Sequence, residues 1–455
     1  MFQEIYGAIA SVVWGAPMLA MFLFTGGMLT LRAHGFQLRR FGFWTRETFG
    51  SLRRSGTRKS GDAQSISQWQ ALTSALAACL GTGNIVGVAT AITLGGPGAV
   101  FWMCISALLG MMTCCAENIL GLQYRWRTES GGWMGGPMAY LRKGLGSKTL
   151  AGIYAALLSL ASFGIGNMTQ ANAISESLRE SFRLPRGGVA AAVCVLLGLV
   201  VFGGVARIAK VTEKIVPLMT GLFLLASMIV LVVRAQYIPN VLRTICREAF
   251  RVKPLAGGVA GFGLMKSMRY GIARGVFSNE AGLGSSAVVH AAADTKEPVR
   301  QGMWGIAEVF IDTIVMCTMT ALVLLCSDVW TPETAQNGVA LVSGAFAVVF
   351  GVWGHRFVTL SIVLFAFATL TGWSFYGEQG ARYLLGEKSV QIYRSIYLLA
   401  AALGALMKIE TVWSVSDILN GLMAIPNLIG VLLLSGQAVR QLRRYETRGK
   451  MGLRV

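Results

Sequence analysis

Cys79-Leu80-Gly81-Thr82-Gly83-Asn84-Ile85-Val86-Gly87 lies in the middle of an otherwise apolar run from Trp69 to Leu94. Three glycines, a threonine and an asparagine are a poor choice for a continuous membrane helix, because lipid offers no water to backbone groups that a break sets free. The stretch therefore reads as a broken helix, its freed N–H and C=O groups met by protein, by a water-filled cavity or by a bound solute and ion. Taken alone, the same residues also suit close packing between helices, where small side chains are common. A second stretch shifts the balance. Gly275-Val276-Phe277-Ser278-Asn279-Glu280-Ala281-Gly282-Leu283-Gly284-Ser285-Ser286 interrupts a later apolar segment and carries a carboxylate as well. Two glycine-interrupted segments in corresponding positions of two halves point to the binding site of a secondary transporter.

The composition agrees with a polytopic membrane protein. The 455 residues are 54% hydrophobic and only 13% charged, mean hydropathy is +0.59, and long apolar runs recur from end to end. The first run, Ile5 to Leu31, is too long for a signal-peptide core and ends in a basic segment, so it reads as a retained helix with its N-terminus outside. The formal net charge is +19, and the segments 32–65, 124–148 and 436–455 hold +15 of it. Short basic loops beside helix ends mark the cytoplasmic side of a plasma or inner membrane and face anionic lipid headgroups, so the charge does not call for nucleic acid. The eight cysteines lie mostly inside apolar runs without CxxC spacing and read as small buried hydrophobes.

In chain order, the first helix and its basic loop lead to the first broken segment, which ends at the turn Gly95-Gly96-Pro97-Gly98. Spans follow over about 99–122, 150–178, 188–205 and 215–233. The segment 236–254 reads as a partly helical outer loop, although it carries Arg243, Arg247, Arg251 and Lys253 against the charge rule. The second broken segment covers about 255–293, and further spans cover about 301–325, 357–385, 392–407 and 411–434, with an apolar piece over 339–349 reading as a lid on the outer mouth. The fold class is thus an all-α polytopic membrane protein of about eleven transmembrane helices, in which ten form a five-plus-five inverted repeat behind one extra N-terminal helix. The whole chain, 1–455, is one transporter domain: extra helix and basic loop over 1–65, first repeat over 66–235, second repeat over 255–435 and a basic cytoplasmic tail over 436–455. Five spans per half make the two broken helices antiparallel and let their breaks meet at mid-bilayer.

Several motifs in this order resemble the sodium:alanine symporter family, also called alanine or glycine:cation symporters. They are Gly81-Thr82-Gly83-Asn84-Ile85, Gly95-Gly96-Pro97-Gly98-Ala99-Val100-Phe101-Trp102-Met103 with Ile105-Ser106-Ala107-Leu108-Leu109-Gly110, and Arg274 to Gly284. Phe310-Ile311-Asp312-Thr313 and Gly372-Trp373-Ser374-Phe375-Tyr376-Gly377-Glu378 complete the set. The likeness spans Trp69 to Gly430, and one departure is Cys104 where the family usually has Trp. The resemblance implies a fold like that of the neurotransmitter:sodium symporters and symport of a small neutral amino acid, alanine or glycine, with a cation, sodium before proton. It implies no enzyme and no catalytic cofactor, with sodium as a co-transported ligand.

A zwitterion needs donors for its carboxylate, acceptors for its ammonium and a pocket for its side chain. Amides around Thr82, Gly83 and Asn84 suit the carboxylate. Carbonyls near Phe277 and Ser278, with amide oxygens of Asn279 or Gln170, suit the ammonium, and Trp373 caps the pocket. Sodium, a hard ion, suits carbonyls near Gly81 or Asn84 and the hydroxyls of Thr369 and Thr371, a cation position that the related fold implies; membrane threonines also commonly bond their own backbone. Asn167 and Gln170 share a helix face and either line the pocket or tie helices together. Glu280, Glu308, Asp312, Glu117 and Glu378 are ionisable groups at or near membrane depth, either coupling residues or partners of Arg269 and Arg274; for Glu117 and Glu378 the pairing is preferred. Two rival classes fit less well. Ser285 and His290 are five residues apart, about 140° around a helix, so they do not pair as a hydrolase dyad, and there is no HExxH motif or TVGYG-like channel filter.

Overall fold

The structure, a computed structural model, describes residues 9, 13–52, 65–251, 262–331, 338–407 and 410–450. α1 is Ala16–Arg32, and the earlier part of the first expected span, apart from Ile9 and residues 13–15, lies outside the described residues. Short helical turns follow to Leu52. α2 (Gln68–Cys79) starts at a capping box, in which Ser67 Oγ accepts from the Gln70 amide and Gln70 Oε1 from the Ser67 amide. It stops where the sequence places the break. Leu80 and Gly81 leave the helix, Thr82–Asn84 make one 3-10 turn, and α3 (Val86–Gly95) resumes.

α4 (Gly98–Gln123) returns to a hairpin of β1 (Trp126–Arg127) and β2 (Trp133–Met134). α5 (Lys148–Phe163) and α6 (Thr169–Phe182) form one long rod widened at a π turn, Gly164–Met168. The widening matters because Gly164 and Gly166 lie against Ser416 and Trp373, where a Cβ would collide. α7 (Arg186–Val201) and α8 (Gly204–Val233) follow, α8 beginning eleven residues before the expected 215 because the polar residues Arg207, Lys210, Glu213 and Lys214 extend its N-terminal end. The expected outer loop contains a helix, α9 (Ile238–Ala249), seated on α4 through Trp102 Nε1–H to the Ala249 carbonyl at 3.0 Å.

α10 (Phe262–Asn279) ends at the second break, and α11 (Ser286–His290) resumes after it. Glu280, Gly282 and Gly284 hold φ of +56°, +94° and +74°, left-handed backbone that ends a helix and that glycine adopts most readily. α12 (Pro298–Val309) passes through a long π turn, Phe310–Cys317, into α13 (Thr318–Cys326). The apolar piece expected as a lid is α14 (Gly338–Phe350), packed beside α3 and α15. α15 (Val352–Leu385), α16 (Ser389–Leu406) and α17 (Glu410–Lys450) complete the chain. The segment expected as a basic tail is helical as far as Lys450, and it is tied to the first basic loop by Arg40 to Glu446 and by Tyr445 to Glu47.

Seven helices among the described residues are long and apolar enough to cross a bilayer: α4, the α5–α6 rod, α8, the α12–α13 rod, α15, α16 and α17 from Val415. Four shorter apolar helices, α1, α3, α7 and α14, add to these. Leu196, Leu218, Leu225, Val232, Trp353 and Leu433 are exposed apolar side chains on the outside, as a lipid-facing surface requires. The two broken segments run antiparallel. Ile66 before α2 bridges Ala293 after α11, while the Gly95 carbonyl at the end of α3 accepts from Ser267 Oγ near the start of α10 at 2.6 Å. Arg125 secures the first of these ends, its guanidinium donating to the carbonyls of Ala291, Ala293 and Thr295 at 2.6 to 2.7 Å.

Candidate functional site

Antiparallel packing brings the two breaks face to face. A Cβ on Gly83 would lie 3.5 Å from Phe277 Cδ1 and from Ser278 Cα, so the two interrupted backbones are in van der Waals reach. Thr82, Gly83, Asn84, Phe277, Ser278 and Asn279 are all buried there. The expectation that the breaks meet therefore holds as geometry.

Asp312, in the π turn after α12, stitches the breaks together. Its carboxylate accepts from Asn84 Nδ2 at 2.7 Å, from Ser278 Oγ at 3.0 Å and from Thr313 Oγ1 at 2.7 Å. Thr313 in turn accepts from Asn279 Nδ2 at 3.0 Å. The amide oxygens of the two asparagines turn inward on their own breaks: Asn84 Oδ1 accepts the Gly81 amide and Asn279 Oδ1 the Ala281 amide, each near 3 Å. Each asparagine is thus a local cap on its break and a cross-tie to one acidic helix.

The third wall is α15. Thr369 Oγ1 donates to the Ala77 carbonyl at 3.1 Å and sits so close to Gly81 that a Cβ there would be 2.6 Å from it. Only glycine lets that hydroxyl approach the broken backbone. Gln170 reaches the same spot from α6, its Oε1 3.5 Å from the position of that Cβ, while its Nε2 donates to the Ile165 carbonyl freed by the π turn. Gln170 Oε1 and Thr82 Oγ1 are buried without a hydrogen-bond partner. Such groups are costly to leave alone at membrane depth, roughly 1–3 kcal/mol each, and they face the same break.

Two expected site residues are engaged elsewhere. Thr371 donates to the Phe367 carbonyl of its own helix at 2.9 Å, and Asn167 Nδ2 donates to the Tyr397 carbonyl at 2.7 Å, tying α5–α6 to α16. Trp373 is held more tightly than a movable cap: its ring fills the notch at Gly166 and its Nε1–H donates to Glu280 Oε1 at 2.9 Å. Glu280 also accepts from Ser285 Oγ, and Glu308 from His290 Nε2 at 3.0 Å.

The preferred pairing of Glu117 and Glu378 with Arg269 or Arg274 is corrected. Glu117 accepts from Asn427 Nδ2 at 2.5 Å. Glu378 pairs with Arg382 and Arg394 at 2.9 and 2.8 Å, and Arg274 pairs with Asp417 at 3.1 Å. Chain position suggested neighbours that helix packing does not supply. Among the described residues no Lys or Arg ion-pairs with Glu117, Glu280, Glu308 or Asp312, so four carboxyl groups are buried with neutral partners only. Asn427, which accepts from Tyr140 and donates to Glu117 and to the Gly282 carbonyl at 2.8 Å, is a tie that sequence reasoning missed. Its signal is an amide directly after Pro426 in the last apolar run.

An open groove of about 510 Å³ between α1 and α10 includes none of the break residues. Its walls, among them Leu19, Leu23, Met268 and Tyr270, are mainly apolar with Lys266 and Arg269 at hand, and it lacks the acceptors that an ammonium group needs.

Two broken, antiparallel helices meeting among buried polar groups, inside a shell of apolar spans, define a multi-pass membrane transporter rather than an enzyme. A manganese transporter of Eremococcus coleocola shares the fold, with a TM-score of 0.55 over 82% of this chain and 84% of that one at 14% identity. The chain belongs to the sodium:alanine symporter family, whose model matches residues 1–455. It is 39% identical to the sodium/alanine symporter AgcS of Methanococcus maripaludis, over 98% of this chain and 97% of that protein. It is also 41% identical to an uncharacterized transporter of Haemophilus influenzae, over 99% of this chain and 97% of that one.

Proposed function

We propose that the protein is a secondary active symporter that moves a small neutral amino acid, such as alanine or glycine, together with sodium, by alternating access. The reading is carried by one observation: the two breaks meet at Gly83, and beside that meeting the buried oxygens of Thr82, within the first break, and of Gln170, next to Gly81, have no hydrogen-bond partner. Amides at Thr82, Gly83 and Asn84 receive the substrate carboxylate at the start of a half-helix. Carbonyls near Phe277 and Ser278 and the Gln170 amide oxygen receive the ammonium, with Asn279 bracing that break and Trp373 limiting side-chain size. Sodium is held by carbonyls at Gly81 and Asn84 and by Thr369, with Thr371 and Asn167 fixing the surrounding helices. The related M. maripaludis protein, a sodium/alanine symporter by name, supports this pairing of ion and substrate.

In this reading 66–235 and 255–435 are the two inverted repeats, the N-terminus is outside and the basic C-terminal end is cytoplasmic. The test is uptake by purified protein in liposomes. Labelled alanine or glycine enters only with an inward sodium gradient, and equal uptake without any cation gradient overturns coupling. A proton gradient that replaces sodium in full would move the assignment to a proton-coupled carrier.

A further inference from the structure

Arg243, Arg247 and Arg251, three of the basic residues that run against the charge rule, have no part in the transport site. On a helix that turns about 100° per residue, they form one of three neighbouring stripes along α9 and its continuation. Val241, Ile245 and Ala249 are the first stripe, buried on α4. Leu242, Cys246 and Phe250 are the second, apolar and exposed, with Phe250 edge-on to Phe101 and Trp102 at ring distances of 5.0 and 5.8 Å. The arginines are the third, exposed, with Glu248 as the carboxylate partner of two of them. An exposed apolar stripe beside a basic one is the pattern of a helix lying in the membrane surface with its arginines at headgroup level.

The groove between α1 and α10 opens at the same end of the molecule. Gly15, Leu19 and Leu23 recur every four residues, as do Ala16 and Ala20, so these small and apolar residues share one face, and that face stands off from Met265, Met268 and Tyr270 of α10. Two contacts fix the direction in which the groove runs. Ser267 Oγ donates to the Gly95 carbonyl at 2.6 Å, and a Cβ on nearby Gly98 would lie 2.5 Å from the Ala249 nitrogen, so Lys266 and Arg269 lie near the level of α9. At the other end, Phe22 beside Leu23 packs on the second break, where a Cβ on Gly282 would lie 2.5 Å from Phe22 Cε1. Gly15 to Leu23 is a rise of about 12 Å, close to the roughly 15 Å of hydrocarbon in one leaflet. The groove thus starts among cations and ends at the depth of the breaks.

The cations at its mouth are available. Neither Lys266 nor Arg269 ion-pairs with a carboxylate among the described residues; Arg269 lies 5.9 Å from the Tyr270 ring, while Asp417 is taken by Arg274 and Glu248 by Arg247 and Arg251. We propose that this groove binds one anionic glycerophospholipid, its phosphate between Lys266 and Arg269 and an acyl chain running along Ala16, Ala20 and Leu23. A charged head and an apolar tail of one leaflet's depth match the two ends of the groove. A soluble anion would leave the apolar walls unfilled, and a zwitterionic lipid would bring a further cation to a mouth that is already cationic. The chain fills the space beside α10 next to the second break, so the lipid steadies that helix. The site requires that the protein span a membrane, and it stands whichever ion drives transport.

The experiment is thermal unfolding of the purified, delipidated full-length protein in a neutral detergent, titrated with phosphatidylglycerol, with phosphatidylcholine of the same chains, and with glycerol phosphate. Phosphatidylglycerol raises the melting temperature by several degrees and saturates, and the other two leave it nearly unchanged. Lys266→Gln with Arg269→Gln weakens the response by about tenfold or more. Lys210→Gln with Lys214→Gln, which removes the same charge from exposed positions of α8, leaves it as in the wild type. Ala20→Trp keeps both cations, fills the groove and abolishes the response; each variant is checked for a monodisperse profile. Equal stabilisation by phosphatidylcholine, a wild-type response without Lys266 and Arg269, or equal weakening by the α8 pair overturns the site. A wild-type response of Ala20→Trp also overturns it, because the chain then lies elsewhere, and so does glycerol phosphate acting as well as the lipid, because the ligand is then a free phosphate. Failure of sodium-coupled uptake in liposomes would instead remove the proposed function and leave this titration readable.

Discussion

Asn84 and Asp312, 228 residues apart in sequence, are joined twice: Asn84 Nδ2 donates to the Asp312 carboxylate at 2.7 Å and to its main-chain carbonyl at 3.2 Å. Ser278 adds the other break to the same carboxylate at 3.0 Å. One acceptor shared by both interruptions makes their separation depend on one side chain. Leaving a buried hydrogen-bonding group without its partner costs roughly 1–3 kcal/mol.

Asn84→Ala removes both cross-ties and the cap on the Gly81 amide. Sodium-driven uptake is expected to fall by about tenfold to a hundredfold, the rate equivalent of that cost, with normal insertion in the membrane. Asp312→Asn keeps the shape but replaces one of the two accepting oxygens by an amide donor facing Asn84, Ser278 or Thr313, and a drop of comparable size is expected. Wild-type uptake by both variants in liposomes would exclude this carboxylate from the transport cycle.

The two glycines of the first break are expected to differ. Alanine at Gly81 places a methyl group 2.6 Å from Thr369 Oγ1, whereas alanine at Gly83 makes ordinary contacts at 3.5 Å. Gly81→Ala therefore reduces uptake by about a hundredfold, as an ångström-scale misplacement does, while Gly83→Ala stays within about threefold of wild type. Adding Thr369→Ala to Gly81→Ala restores thermal stability without restoring sodium affinity, measured by the sodium dependence of uptake. Equal effects of the two single substitutions would contradict the close approach of Thr369.

Trp373 is held by shape at Gly166 and by its bond to Glu280. Trp373→Phe keeps an aromatic ring and deletes the donor, so Glu280 Oε1 loses its partner, at a cost of roughly 1–3 kcal/mol. Gly166→Ala puts a methyl group 2.2 Å from Trp373 Cβ and forces the ring out of its notch. Both variants are expected to melt several degrees lower, Gly166→Ala by more, in thermal unfolding of purified protein. An unchanged melting temperature for Gly166→Ala would refute the notch.

Both breaks are legible in the sequence because glycines and amides inside an apolar run have a cost that lipid does not relieve, as at Gly81 to Asn84 and at Asn279 to Gly284. The antiparallel course of the broken segments follows from counting spans. The partners across helices are a different matter. Asp312 is visible as an ionisable residue in a span, but nothing local shows that it faces Asn84, and the widening at Phe310–Cys317 that presents it has no periodic signature. Arg274 shares a segment with Glu280 yet bonds Asp417, because α10 is seated on α4 and α3 and the Arg274 guanidinium there meets a carboxylate of α17, which sequence distance does not reveal. Thr369 and Thr371 look equivalent in sequence. Two residues are about 200° apart on a helix, so one hydroxyl meets Gly81 and the other turns to its own backbone.

Glu378, by contrast, is a structural ion site. It is 2% exposed and pairs with Arg382 one turn along α15 and with Arg394 on α16, and Arg382 also pairs with Glu387 at 2.7 Å. Removing one member of a buried ion network strands its partner, which costs roughly 3–5 kcal/mol, whereas removing opposite charges together costs far less. Arg394→Met is therefore expected to lower the melting temperature strongly, and Arg394→Met with Glu378→Gln is expected to recover much of the loss, with little change in the sodium dependence of uptake in either protein. The recovery discriminates between roles: if Glu378 coupled ion movement to transport, the double variant would melt normally and yet lose sodium-driven uptake.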